Sequence, residues 1–224
     1  MIRWLVGGPG PALDEKAFLC PSEAEEGRRY RHPGRYRQWL LGRAAAKALL
    51  RRHAELWDDQ PPSVKQINVR RTGDGWPQPL DSEGRPLDVS LSISHTGEKA
   101  FCALCPVGEG KVGADMERVA ERPDSLLEDF YTDGERERLG YLPRKSRDKM
   151  ATVVWCIKEA ILKARRTGFK ESAKSVDVVS LEHLPAAGWK EARVVLADGS
   201  RPEVFWRLAR DGGLAMAIAR IPLS

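Results

Sequence analysis

One segment restricts the fold more than any other. From about Arg147 to Arg166, the residues Met150, Val153, Val154, Ile157 and Ile161 recur at helical spacing and make one apolar stripe. Such a helix has to lay its stripe on another layer. The chain that follows offers one. Val176 to Leu181, Arg193 to Leu196, Val204 to Leu208 and Leu214 to Ile221 read as strands, with Asp198-Gly199 and Asp211-Gly212-Gly213 as hairpin turns. Gly168 stands where a C-capping glycine of the long helix is expected. Ser125 to Tyr131 and Asp133 to Leu142 read as shorter, highly charged helices ahead of it.

The first half has the same ingredients. A helix is expected from about Tyr36 to His53, with Leu40, Ala44 and Ala48 beside Leu41, Ala45 and Leu49 as its apolar stripe. Arg43, Lys47 and Arg51 form a basic stripe on another face. Ile67 to Arg70 reads as a strand and Gly73-Asp74-Gly75 as a turn. Val89 to Ser94 and Lys99 to Leu104 read as paired strands joined through a turn at His95-Thr96-Gly97-Glu98. Pro106 to Lys111 is the expected boundary, giving halves of residues 1–108 and 109–224. No sequence repeat relates the halves, and periodicity alone gives only α+β.

Composition narrows the class. A chain of 224 residues with 42% hydrophobic and 31% charged residues can bury the core of one large or two small domains. It has no apolar run that would span a bilayer, and Met1 to Val6 is too short to read as a signal peptide. A cytoplasmic protein is the expectation. Cys102 and Cys105 have redox or zinc spacing, but no second pair accompanies them. On a strand, residues three apart face opposite ways, so buried thiols are expected there. The net charge is +5, and Gly27 to Arg52 carries Arg28, Arg29, Arg31, Arg35, Arg37, Arg43, Lys47, Arg51 and Arg52 without one acid. An anionic ligand or partner would meet such a stretch; a solvated helix face would also produce it.

Chemistry concentrates in two places. In Gly113-Ala114-Asp115-Met116-Glu117, read as a strand, Gly113, Asp115 and Glu117 share a face. Two carboxylates then project side by side, roughly 7 Å apart at the backbone. In Trp155-Cys156-Ile157-Lys158-Glu159-Ala160-Ile161-Leu162-Lys163, read as a helix, Trp155, Glu159 and Lys163 stack on successive turns. Three hard oxygen donors suit Mg²⁺, which is usually completed by substrate phosphates, and a nearby lysine suits a phosphate as a point charge.

Together these blocks resemble the phosphopantetheinyl transferases of the larger, Sfp-like type. That family shows a Gly-x-Asp-x-Glu strand and, some forty residues on, a Trp-x-x-Lys-Glu-Ala/Ser-x-x-Lys helix. Gly84-Arg85-Pro86 and Ser92-Ile93-Ser94-His95-Thr96 match a third block, and Arg28-Arg29-Tyr30 with Leu40-Leu41-Gly42-Arg43 a looser fourth. The resemblance covers roughly residues 20 to 180.

The resemblance implies two similar α+β halves, each helix plus antiparallel sheet, with the active site in the cleft between them. It implies transfer of the 4′-phosphopantetheine arm of coenzyme A to a serine of an apo acyl or peptidyl carrier protein, releasing adenosine 3′,5′-bisphosphate. Asp115, Glu117 and Glu159 would ligate Mg²⁺, with Mn²⁺ as the alternative ion. Glu159, or a water at the metal, would be the base toward the serine. Lys163, with Lys158, would neutralise phosphate oxygens. Arg43, Arg85, Ser94 and His95 would meet the coenzyme A phosphates. The carrier's acidic recognition helix suits a basic rim. No nucleic acid or membrane is expected as a partner, and a monomer is expected. One departure stands out: some relatives carry lysines in the stretch that holds Glu23, Glu25 and Glu26 in this chain.

Two other classes would use some of the same residues. A Mg²⁺-dependent phosphohydrolase or nuclease could use the three acids and the arginines, but leaves Ser94-His95 and Gly84-Arg85-Pro86 unexplained. A non-catalytic nucleic-acid-binding module explains the basic stretch and leaves the acids a liability. A Ser-His-Asp hydrolase is disfavoured, because adjacent Ser and His on an extended chain point apart and no Gly-x-Ser-x-Gly elbow exists.

Overall fold

A computed structural model of the chain describes residues 1–8, 13–53, 57, 60–167, 170–181 and 188–223. It divides into two units, Met1–Gly110 and Lys111–Ser224. The N-terminal unit runs β1 (Arg3–Gly7), α1 (Glu15–Phe18), α2 (Pro21–Gly27), α3 (Pro33–Arg51), β2 (Asn68–Arg71), β3 (Pro77–Leu80), β4 (Val89–Thr96) and β5 (Lys99–Pro106). Pro33 opens α3, where its missing N–H is no loss, and His32 Nδ1 caps the helix by accepting from the Gly34 N–H at 3.2 Å. α3 lays Leu41, Ala45, Ala46 and Leu49 into a core shared with Leu91, Ala100, Cys102 and Leu104 of the β1-β5-β4 sheet. The β2-β3 hairpin turns at Gly75, whose φ of +92° is a conformation that glycine adopts without strain.

The C-terminal unit runs β6 (Lys111–Arg118), α4 (Asp124–Phe130), α5 (Asp133–Gly140), α6 (Arg144–Arg165), β7 (Val176–Leu181), β8 (Lys190–Leu196), β9 (Glu203–Leu208) and β10 (Leu214–Ile221). Its antiparallel sheet has the order β6-β10-β9-β8-β7. α6 covers β6 and β10, with Val153, Ile157, Ala160 and Ile161 in the core.

The two units are built on one plan. Each places its first strand beside its last, and its long helix across both. Each also carries the same buried device. In α2, Glu23 accepts from the Cys20 N–H at 3.0 Å, from the Val69 N–H of β2 at 3.0 Å, and from the Lys47 ammonium of α3. In α5, Glu135 accepts from the Thr132 N–H at 2.9 Å, the Val178 N–H of β7 at 2.8 Å and the Lys158 ammonium of α6 at 2.8 Å. Each lysine also donates to backbone carbonyls, Lys47 to Phe18 and Lys158 to Ala173 and Val176. A short capped helix, a long helix and a strand are thereby pinned by one carboxylate. The halves lack a sequence repeat because the device needs only a glutamate and a lysine, set far apart along the chain.

Several expectations change. The Arg43, Lys47 and Arg51 stripe is solvated only at its end: Arg43 and Lys47 are buried and Arg51 is exposed. β4 runs past Ser94, so His95 and Thr96 lie within the strand and not in the turn after it. α6 ends at Arg165, and Arg166 takes the left-handed cap with φ 61°; Gly168, expected there, lies outside the described residues. The four cysteines are buried and form no disulfide among the described residues, as the spacing of Cys102 and Cys105 suggested for that pair. Among the described residues, no helix is long and apolar enough to cross a membrane.

Candidate active site

β6 and α6 approach closely because Gly113 faces the helix backbone. A β-carbon there would overlap the Ala160 carbonyl oxygen and stand 2.6 Å from Ala164 N. Two residues on, the same strand face presents Asp115, and one helical turn beyond Glu159 stands Lys163. The Lys163 ammonium donates to Asp115 Oδ1 at 2.6 Å and to the Ala114 carbonyl at 3.3 Å. Asp115 is buried, while Glu117 and Glu159 are half-buried.

Their charges are coupled. Burial, then the Asp115 charge, pushes the Glu117 carboxyl above its ordinary value, with Arg122 and Lys163 opposing and Glu159 adding to the rise. Burial also raises the Glu159 carboxyl, with Lys163 opposing and Asp115 adding. Burial alone would pull the Lys163 ammonium down. Its contact with Asp115, helped by Glu159, outweighs that and holds it above its ordinary value. Three acids against Lys163 and Arg122 leave a surplus of negative charge, which a further cation would relieve. The donor set is all carboxylate oxygen, as Mg²⁺ prefers. Among the described residues, however, no three His, Cys, Asp or Glu side chains stand close enough together to enclose an ion as placed. Lys163 fills that role toward Asp115 instead.

A second site lies within the N-terminal unit. A cavity of about 290 Å³ is lined by cations Arg35, Arg43 and Arg71, by His95, by aromatic Tyr30 and Trp39, and by one acid, Glu26. Trp39 stacks with Tyr36 at 5.9 Å and carries the Arg43 guanidinium over its ring at 5.1 Å. Arg43 is 6% exposed. Its terminal nitrogen meets Glu26 Oε2 at 3.4 Å. Its Nε makes no hydrogen bond among the described residues, with Glu23 Oε1 3.8 Å away. Aromatic faces beside arginines suit a base and its phosphates.

Residues 111–219 match the profile of the 4′-phosphopantetheinyl transferase superfamily, a span that takes in β6, α6 and the whole carboxylate cluster. A Synechocystis sp. protein named as a 4′-phosphopantetheinyl transferase is 25% identical over 215 residues, covering 91% of this chain and 83% of its own. The C-terminal unit matches the 4′-phosphopantetheinyl transferase superfamily. Two solved holo-acyl-carrier-protein synthases are also similar. The one from Thermotoga maritima is 19% identical with a TM-score of 0.39, covering 50% of this chain and 63% of that one. The one from Bacillus anthracis, in complex with coenzyme A (3′,5′-ADP), is 17% identical with a TM-score of 0.40, covering 50% of this chain and 96% of that one.

The expected site residues divide. Asp115, Glu117, Glu159 and Lys163 share one electrostatic cluster, and Arg43 and His95 line one cavity. Lys158 does not join the carboxylates. One residue before Glu159 on a helix, it turns about 100° away and points into the core, where Glu135 and two carbonyls take its three donors. Ser94 does not line the cavity with His95, because neighbours on a strand face opposite sides; it is 7% exposed. Arg85 does not line it either. It sits in a turn with its guanidinium on Asp81 at 2.8 Å and Glu83 at 3.0 Å. Trp39 and Arg71 line the cavity without having stood out in the sequence, and Glu26 lines it after standing out only as a departure. Arg71 reaches it through a hairpin that leaves no mark of its own there. Glu26 and Trp39 belong to stretches legible only as a departure from the family pattern and as a helix.

Lys158→Met tests its reassignment. Breaking a buried pair by removing one partner costs about 3–5 kcal/mol, so the urea midpoint should fall sharply while coenzyme A affinity of the folded fraction holds. Unchanged stability with weakened coenzyme A binding would return Lys158 to the ligand.

Proposed function

We propose that the chain transfers the 4′-phosphopantetheine arm of coenzyme A to a serine of an apo carrier protein, with Mg²⁺ as its metal and adenosine 3′,5′-bisphosphate as by-product. The observation that carries this reading is the cluster of Asp115, Glu117 and Glu159 around Lys163, inside the span that matches the transferase superfamily. Asp115, Glu117 and Glu159 are the residues that would hold the metal, after side-chain adjustment brings their oxygens together. Mg²⁺, when bound, neutralises pyrophosphate oxygens and so eases departure of the bisphosphate.

The chain's own groups supply the remaining needs. Lys163 keeps its proton well past neutrality because Asp115 holds its ammonium above the ordinary value. It is therefore a permanent cation for the charge that develops on the transferring phosphate. Glu159 takes the serine proton. Its raised carboxyl brings its basicity closer to that of a working general base at neutral pH. Arg43, with Arg35, Arg71 and His95, receives the phosphates at the nucleotide end, and Tyr30, half-buried in the same cavity, is the aromatic neighbour for the base.

Incubating the protein with coenzyme A, Mg²⁺ and an apo carrier protein should raise the carrier's mass by one phosphopantetheine arm. A carrier of unchanged mass, with coenzyme A hydrolysed or intact, would defeat the proposal.

A further inference from the structure

The cavity of the N-terminal unit holds one acid among its cations, and that acid pins no backbone. Glu23, three residues earlier, spends its oxygens on two backbone N–H groups and a buried lysine. Among the described residues, Glu26 meets only the Arg43 terminal nitrogen, at 3.4 and 3.5 Å. Those distances are long for a charge-assisted hydrogen bond. Arg43 does not depend on Glu26 for its placement, since burial and the Trp39 ring already fix it. Its Nε faces the buried Glu23 carboxylate at 3.8 Å, so the terminal nitrogen beside Glu26, which lines the cavity, is the group an incoming anion would meet.

We propose that Glu26 is a specificity-determining residue of this cavity: by occupying Arg43 it weakens the hold on a phosphomonoester, so that nucleotides with and without that group are accepted alike. The inference rests on the reading that this cavity takes the nucleotide end of coenzyme A. An incoming phosphomonoester has to displace the Glu26 carboxylate from Arg43 and then sit beside it. A nucleotide lacking that group leaves the Arg43–Glu26 pair in place. Glu26 thus subtracts from binding only when the extra phosphate is present.

The test is calorimetric titration of wild type, Glu26→Gln and Glu25→Gln with coenzyme A, 3′-dephospho-coenzyme A and adenosine 3′,5′-bisphosphate. Glu25 is an exposed acid on the same helix and controls for net charge. Wild type should bind coenzyme A and its 3′-dephospho form with similar Kd. Glu26→Gln should bind coenzyme A and the bisphosphate about 3- to 10-fold tighter, the worth of one partly screened charge at contact range. Its affinity for 3′-dephospho-coenzyme A should stay within about twofold of wild type, as expected where the charge makes no contact, and Glu25→Gln should resemble wild type. Equal gains for all three ligands, or weaker binding of coenzyme A by Glu26→Gln, would overturn the role of Glu26 while leaving the nucleotide site standing. Wild type that binds none of the three would remove the nucleotide reading itself.

Discussion

Glu159→Gln should abolish transfer and, in the absence of metal, make the protein more stable at neutral pH. The two effects come from one carboxylate. As base and metal ligand, Glu159 carries a role worth about 10²–10⁴-fold in rate, and glutamine can neither take a proton nor add charge to an ion. As a half-buried charge beside Asp115, it costs the folded state energy.

The sign follows from its raised carboxyl. The folded chain holds this proton more tightly than the unfolded chain does, so ionising Glu159 favours unfolding. Below the ordinary carboxylate range both states are protonated and nothing is lost. As pH rises through the elevated folded value, the penalty comes fully into force. Glutamine keeps the shape and removes the penalty, so the gain should appear near pH 7 and vanish below about pH 4. Each kcal/mol recovered moves Tm by about 2–4 °C in a chain of this size. Added Mg²⁺ should raise the Tm of wild type more than that of the variant. A variant that transfers at near wild-type rate would show that Glu159 is neither base nor ligand. One that melts lower than wild type at pH 7 without metal would show that its charge does not burden the fold.

How much of this is legible in the sequence depends on how far each residue's partner lies along the chain. α6, β7 and β10 can be placed because their periodicity is local: the Leu214–Ile221 strand is expected and found with the same ends. The carboxylates of β6 and α6 are legible for the same reason, since strand and helix spacing fixes which side chains share a face. β1 carries too short a pattern to stand out, and β3 has prolines at Pro77 and Pro79, which argue against a strand. Basic residues mislead most. Spacing shows that Arg43 and Lys47 share a face of α3 but not that Glu23 waits there from another helix, so a buried face reads as a solvated one. Lys158 misleads likewise: its neighbours Glu159 and Lys163 suggest a ligand role, while Glu135 is out of view. The Thr132-x-x-Glu135 capping pattern is readable. It announces a helix start, however, and not that the same glutamate will receive a lysine from the next helix. Glu26 shows the reverse case. Its position among acids looks like a defect in an anion site, and its geometry makes it part of that site.

Gly113→Ala should be among the most damaging single substitutions in the chain. A methyl there meets the Ala160 carbonyl oxygen, Ala164 N at 2.6 Å and Ala160 C at 2.9 Å. All three are helix backbone, which cannot swing aside as a side chain can. α6 would have to lift off β6, opening the core that Ile157, Ala160 and Ile161 share with β10. Overpacking usually costs about 1–3 kcal/mol; against rigid backbone the loss should reach about 4 kcal/mol or more. Gly42→Ala is the comparison that isolates the cause. Its β-carbon would touch only Ile93 Cγ2, at 3.0 Å, a single side-chain methyl that has to give by a few tenths of an ångström. Gly42 also lies inside α3, where alanine regains about 0.8–1.0 kcal/mol of helix propensity. Chemical denaturation should therefore show Gly42→Ala close to wild type and Gly113→Ala far below it. Any folded Gly113→Ala should also transfer poorly, because moving α6 carries Glu159 and Lys163 away from Asp115. Equal stability of the two variants would mean that the approach of β6 to α6 is set elsewhere, and that Asp115 does not owe its contact with Lys163 to the absence of a side chain at Gly113.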